Sequence, residues 1–198
     1  MAWFAHSSPH GTEPLGEHLA GVGDLAADFA VPFSSPDWAR AAGLLHDVGK
    51  AHGAFLRRLA GDPAKVDHAS AGGIAALERL GLVGRLLAYA VVGHHGGLPD
   101  AGKLDERLAR DSVFDHGAVP ELPHLPKPPV DMTGQGAAAF LRMIFSCLVD
   151  ADFIATERFY DPAAKDRRTI PFDAEPAARP PARPPRSGVG RRQAIPGQ

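Results

Sequence analysis

A single cysteine, Cys147, occurs in the 198 residues, so no disulfide can close within the chain and no thiolate zinc site can be built from it. That scarcity fits a reducing cytoplasm, the compartment expected here. Uninterrupted apolar runs of about 18 residues or more are also missing, and no membrane span is expected. The opening Met1-Ala2-Trp3-Phe4-Ala5-His6 has neither the basic start nor the apolar stretch of a signal peptide. Strand-like alternation and internal repeats are absent. Basic charge is scarce where a nucleic-acid binder would need it: residues 1–160 carry 13 lysines and arginines against 19 acids. A body of that sign is not a generic nucleic-acid binder, so any phosphate handled there needs bound metal cations for much of its positive potential.

Apolar residues make up 44% of the chain, enough for one domain with a real core. Their spacing is helical. After an irregular arm over residues 1–11, with His6 and His10 facing solvent, Leu15, His18, Leu19, Val22, Ala26 and Phe29 mark one helix face, Thr12 serving as a possible cap. Ser34-Ser35-Pro36-Asp37 starts a second helix, buried through Trp38, Ala41, Ala42 and Leu45. A short helix over Ala51–Ala60 follows, then one opened by Asp67-His68, then a nearly all-apolar segment from Leu82 to Val92. Residues 99–133 hold one short helical stretch and many prolines, and a connection that long suggests a lid or a substrate rim. Gly134 to Phe159 reads as a strong helix. From 161 to 198 the composition changes to eight prolines and 8 basic residues against 4 acids, a linker or disordered tail with no part in the chemistry. The expected body is all-α over residues 1–160.

The chemistry gathers at Leu45-His46-Asp47-Val48-Gly49-Lys50. Adjacent imidazole and carboxylate offer one nitrogen and one oxygen ligand, a set suited to borderline ions such as Mn, Fe, Co, Ni or Zn rather than Mg. An HD dipeptide alone is weak evidence. Its neighbours strengthen it: His18, His68 and the pair His94-His95 lie in or beside apolar helical stretches, and Asp150 lies in the late helix. Taken alone, His18 also reads as a buried histidine with one hydrogen bond, and Lys50 as an ordinary cation at a helix end. Asp47 is harder to explain that way, because an unpaired buried carboxylate is costly. Packing gives no reason for two histidines flanked by Gly93, Gly96 and Gly97, which free the backbone to aim them. The late helix is apolar nearly all round, so periodicity leaves open whether Asp150 or Asp152 points inward.

In order and context these segments, with Asp67-His68-Ala69-Ser70-Ala71-Gly72-Gly73 and Leu148-Val149-Asp150-Ala151-Asp152 followed by Thr156-Glu157, resemble the HD superfamily. More narrowly they resemble the HD nuclease domain of the CRISPR-associated helicase–nuclease of type I systems, over about Phe4 to Tyr160. The resemblance implies a helical bundle around two divalent metals. His18, His46, Asp47 and Asp150 would bind the first, and Asp47, His68, His94 and His95 the second. Asp47 would bridge them, and Lys50 would contact the scissile phosphate or the nucleophile. It further implies cleavage of single-stranded DNA in CRISPR interference, beside a helicase and the surveillance complex. The helicase's Gly-Lys-Ser/Thr phosphate loop has no counterpart here, so a stand-alone subunit or a piece of a longer protein is expected. Two rival readings are an HD phosphohydrolase acting on small nucleotides and a non-catalytic scaffold that recruits a partner through its tail.

Overall fold

The computed structural model describes residues 2–110 and 112–164. Nearly all of the Pro/Arg-rich tail therefore lies outside the described residues. The first departure from expectation is at the start, where a hairpin replaces the irregular arm. Strand β1 (Phe4–Ser8) pairs antiparallel with β2 (Gly11–Pro14), placing His6 opposite Glu13 and Ser7 opposite Thr12. Strands of five and four residues are too short to show a period in sequence. The strands close with Ala5 buried beneath them.

Helix α1 (Leu15–Ala30) begins directly after Pro14, with no side-chain cap, so Thr12 does not take that role. It buries Leu15, His18, Leu19, Val22 and Ala26 of the face that the spacing predicts, while Phe29 at its end is exposed. Helix α2 (Pro36–Leu45) carries proline at its start and Asp37 in its first turn, where a negative charge favours the helix dipole. The two helices approach closely because glycines meet: a Cβ on Gly43 would lie 2.6 Å from the Gly23 Cα. After a short 3-10 turn at Val48–Lys50 come α3 (Gly53–Leu59) and α4 (Ala69–Gly93). The two helices expected between residues 67 and 92 are the limbs of α4, joined at a break where Gly81 adopts φ 58°, ψ −137°. A residue with a Cβ would be strained there.

Helix α5 (Ala101–Leu108) is anchored by the fully buried Leu104, and α6 (Gly134–Tyr160) packs across α1, α2 and α4. Leu19, Val22, Leu45, Val48, Leu87, Val91, Ile144 and Leu148 fill the space between these helices. The fold is thus an all-α bundle with one small hairpin. No helix among the described residues is long and apolar enough to cross a membrane.

Residues 113–130 form a strap bound to the body. Phe114 is buried, Asp115 N donates to Ala51 O at 2.8 Å, and the indole of Trp38 donates to Pro126 O at 2.9 Å. Single docking residues separated by prolines leave no period to read.

Packing at Gly72 brings α4 against the end of α2, just before His46. A Cβ there would collide with Leu45 O and come within 2.6 Å of Val91 Cγ1. Gly72→Ala is expected to destabilise the fold by about 1–3 kcal/mol, since rigid backbone must move. Gly16→Ala, with nothing within 4 Å, should be neutral or stabilising. Denaturant unfolding of the two variants checks the contrast.

Candidate metal centre

The centre is built at helix ends. Helix α2 stops at Leu45, and His46 keeps helical backbone (φ −56°) while Asp47 leaves it (φ −118°). Both side chains thereby turn into the bundle and are buried. His46 Nδ1 donates to Gly43 O at 2.7 Å, and His94 Nδ1, at the end of α4, donates to Val91 O at 2.6 Å. His68, just ahead of α4, donates from Nδ1 to Val66 O at 3.3 Å. A carbonyl can only accept, so each of these rings carries its proton on Nδ1 and turns Nε2 towards the centre.

Asp47 divides its two oxygens between two groups. Its Oδ2 lies 3.4 Å from His18 Nε2 and 3.2 Å from His46 Nε2, and its Oδ1 lies 3.2 Å from His68 Nε2 and 3.5 Å from His94 Nε2. His95 joins the second group through an Nε2–Nε2 separation of 2.8 Å from His68. Asp152 joins the first, with Oδ1 3.6 Å from His18 and 3.5 Å from His46. Two sets of four potential ligands result, one of His18, His46, Asp47 and Asp152, the other of Asp47, His68, His94 and His95. Lys50 Nζ sits 2.6 Å from Asp47 Oδ2 and 3.3 Å from Ala5 O, which partly offsets the buried carboxylate.

The structure thus brings His18, His46, Asp47, Lys50, His68, His94 and His95 together, but not Asp150. Asp150 is exposed, beside Phe29, Phe153 and Ile154. Asp152 stands where Asp150 is expected. About 100° per residue places Asp152 one turn beyond the fully buried Leu148, on the inner face, and turns Asp150 away. Thr156 Oγ1 donates to Asp152 Oδ1 at 3.4 Å.

Two further residues escape sequence reasoning, both on the hairpin. Glu13 Oε2 lies 3.2 Å from His18 Nδ1, on the far side of the ring from the centre. His6, far from facing solvent, packs edge-on against His18 with ring centroids 4.8 Å apart and approaches Thr156 Oγ1 at 3.4 Å. The cross-strand register that pairs His6 with Glu13 would have linked them, but hairpins this short carry little signal.

The donor set fits cations. His18 and His46 point Nε2 atoms at each other across 3.3 Å, as His68 and His95 do across 2.8 Å. Where both rings of such a pair carry their only proton on Nδ1, an added proton or a metal ion must lie between them. Ligands about 2.0–2.1 Å from a shared ion stand roughly 3.0–3.4 Å apart, close to these separations. Asp47 Oδ1 and His94 Nε2 are buried and have no hydrogen-bond partner. Burial opposes a charge on His46, yet Asp47 and Asp152 beside it push its pKa up to about 10. Burial likewise opposes ionising Asp47, but His46 and Lys50 hold it well below the usual carboxylate range. A metal ion bound there would have to displace these protons, so its affinity would rise with pH. Burial and the neighbouring His94 and His68 bring His95 down to about 4, leaving it neutral as a ligand must be. Above the centre lies an open cavity of about 300 Å³ lined by His6, Asp47, Lys50, His94, His95 and Asp152 among others.

The family model of the HD domain matches residues 15–126, more than half of the chain. That span holds His18, His46, Asp47, Lys50, His68, His94 and His95 but not Asp152, His6 or Glu13. No curated protein matches the sequence.

Proposed function

Because the chain belongs to the HD domain family, whose members are metal-dependent hydrolases, we propose that it is a nuclease cleaving phosphodiester bonds of single-stranded DNA. One observation carries the reading: two four-ligand sets share Asp47 at the floor of an open cavity. His18, His46, Asp47 and Asp152 would hold one divalent ion, and Asp47, His68, His94 and His95 the other. Their nitrogen-rich character favours Mn, Fe, Co or Ni over Mg. Such a pair, when bound, polarises a phosphoryl oxygen and makes water a nucleophile near neutral pH.

The chain's own groups do the rest. Backbone carbonyls at Gly43, Val66 and Val91 fix three imidazoles so that a phosphate meets rigid ligands. Lys50 sits at the same floor and offers its ammonium to a phosphate oxygen. A recessed floor admits a flexible single strand more readily than a stiff duplex. The acidic body, with 13 basic residues against 19 acids over residues 1–160, offers a duplex backbone no net positive charge. The order of motifs, like that of the type I CRISPR-associated helicase–nuclease, supports a role in CRISPR interference with a helicase delivering the strand.

The test loads the protein with Mn or Ni and compares circular single-stranded DNA, linear duplex and free nucleotides. Cutting of the circle with the duplex largely intact is the expected result. Rapid nucleotide hydrolysis with the circle untouched would assign the site to a small-molecule phosphohydrolase instead.

A further inference from the structure

Arg107, on α5, lies outside both ligand sets yet touches the two backbone segments that carry the second. Its Nη2 donates to Asp67 Oδ1 at 3.1 Å, its Nη1 to Val92 O at 2.8 Å and its Nε to Ser70 Oγ at 3.2 Å. Asp67 immediately precedes His68, and Val92 lies two residues before His94. Asp67 is itself tied to the start of α4, accepting from Ser70 N at 3.2 Å and Ser70 Oγ at 2.8 Å. One guanidinium therefore spans the His68 segment and the α4 end that delivers His94 and His95. Leu104, fully buried one turn earlier, fixes α5 beneath it. Among the described residues the hydrogen bonds of Arg107 run to Asp67, Ser70 and Val92, and none runs to α1, α2 or α6, which bring in His18, His46 and Asp152.

We propose that Arg107 is a positioning residue for the second ligand set, holding His68 in register with His94 and His95 so that this half of the centre keeps its ion. The inference rests on the two-ion reading above. A planar fork with several donors suits such a bridge, whereas a single ammonium does not. Small displacements of supporting groups are enough to weaken an ion's hold.

Arg110 supplies the control. It also pairs with Asp67, at 3.2 Å, but it is half exposed, its other partner is Glu106, and it reaches no part of the α4 end. The experiment titrates metal-free protein with Mn²⁺, counts bound ions by elemental mass spectrometry and records the Mn electron paramagnetic resonance spectrum. Wild type should hold two ions with the spectrum of a coupled pair. Arg107→Met should bind one of them about 10–100-fold more weakly and show an isolated ion at limiting metal. Asp67→Asn should weaken the same ion, and it decides the matter if Arg107→Met does not fold. Arg110→Met should keep both ions. Two tightly held ions in both Arg107→Met and Asp67→Asn would overturn the proposal, as would equal loss of both ions or the same loss in Arg110→Met. A wild-type protein that holds fewer than two ions would instead overturn the two-ion reading itself, and this proposal with it.

Discussion

Asp47→Ala protein should be recovered without bound metal and should cleave no phosphodiester, its rate falling by at least about a thousandfold, as expected when several kcal/mol of transition-state stabilisation are lost. The size of the effect follows from where the two oxygens point. Oδ2 faces His18, His46 and Lys50, and Oδ1 faces His68 and His94, so one substitution removes an anion from both ligand sets. It also leaves the Lys50 ammonium, 5% exposed, without its carboxylate and facing Ala5 O and the Phe55 ring. Breaking a buried pair in this way typically costs about 3–5 kcal/mol, so a lower melting temperature should accompany the lost activity. His46→Ala and His95→Ala should cost nearly as much. His52→Ala and His124→Ala, outside the centre, should stay within about threefold of wild type. Metal content measured beside a single-strand cleavage assay checks the series, and full activity in Asp47→Ala would rule out a shared carboxylate.

The second large effect separates two neighbouring acids. Asp152→Ala should strip the first ligand set of its only carboxylate besides Asp47 and lower the rate about a hundredfold or more, the scale of losing metal-based stabilisation. Asp150→Ala, at the surface beside Phe29 and Phe153, should leave the rate within about threefold. Comparing the two rates at saturating metal is sufficient. Inactivity of the Asp150 variant with normal turnover by the Asp152 variant would mean that α6 is rotated by about half a turn from the seating described.

These two acids also show how far the sequence could be read. Helices α1 and α2 were legible because one face of each is apolar and the other is not. The same contrast put His18 inside, and Asp47 followed from its place at the end of the buried α2. On α6, Phe140, Ile144, Leu148 and Ala151 are buried while Met143, Phe153 and Tyr160 are exposed. With apolar residues on both sides, hydrophobic pattern could not orient the helix. The inner face is chosen by contact with α1 and α2, which no local pattern reports. The hairpin failed for the opposite reason, being too short to show any period. Its contributions, Glu13 against His18 and His6 against Thr156, depend on cross-strand register and long-range packing. Beyond the short helix that became α5, residues 109–133 were legible only as proline-rich. The strap's attachment through the indoles of Trp3 and Trp38 is a tertiary fact.

The dispersal of the ligands bears on how the protein acquires its metal. Among the ligands only His46-Asp47 and His94-His95 are adjacent in sequence; His18 and Asp152 come from α1 and α6, far apart along the chain. An unfolded or emerging chain therefore offers an ion at most two neighbouring donors, and each further donor costs the entropy of closing a long loop. Capture by the first ligand set must follow the docking of α6, which carries Asp152, onto α1 and α2. An ion held by that set would then be chosen by the folded cavity from the free metal around it. Refolding in the presence of a competing ion should consequently give the same occupancy as adding that ion to protein already folded.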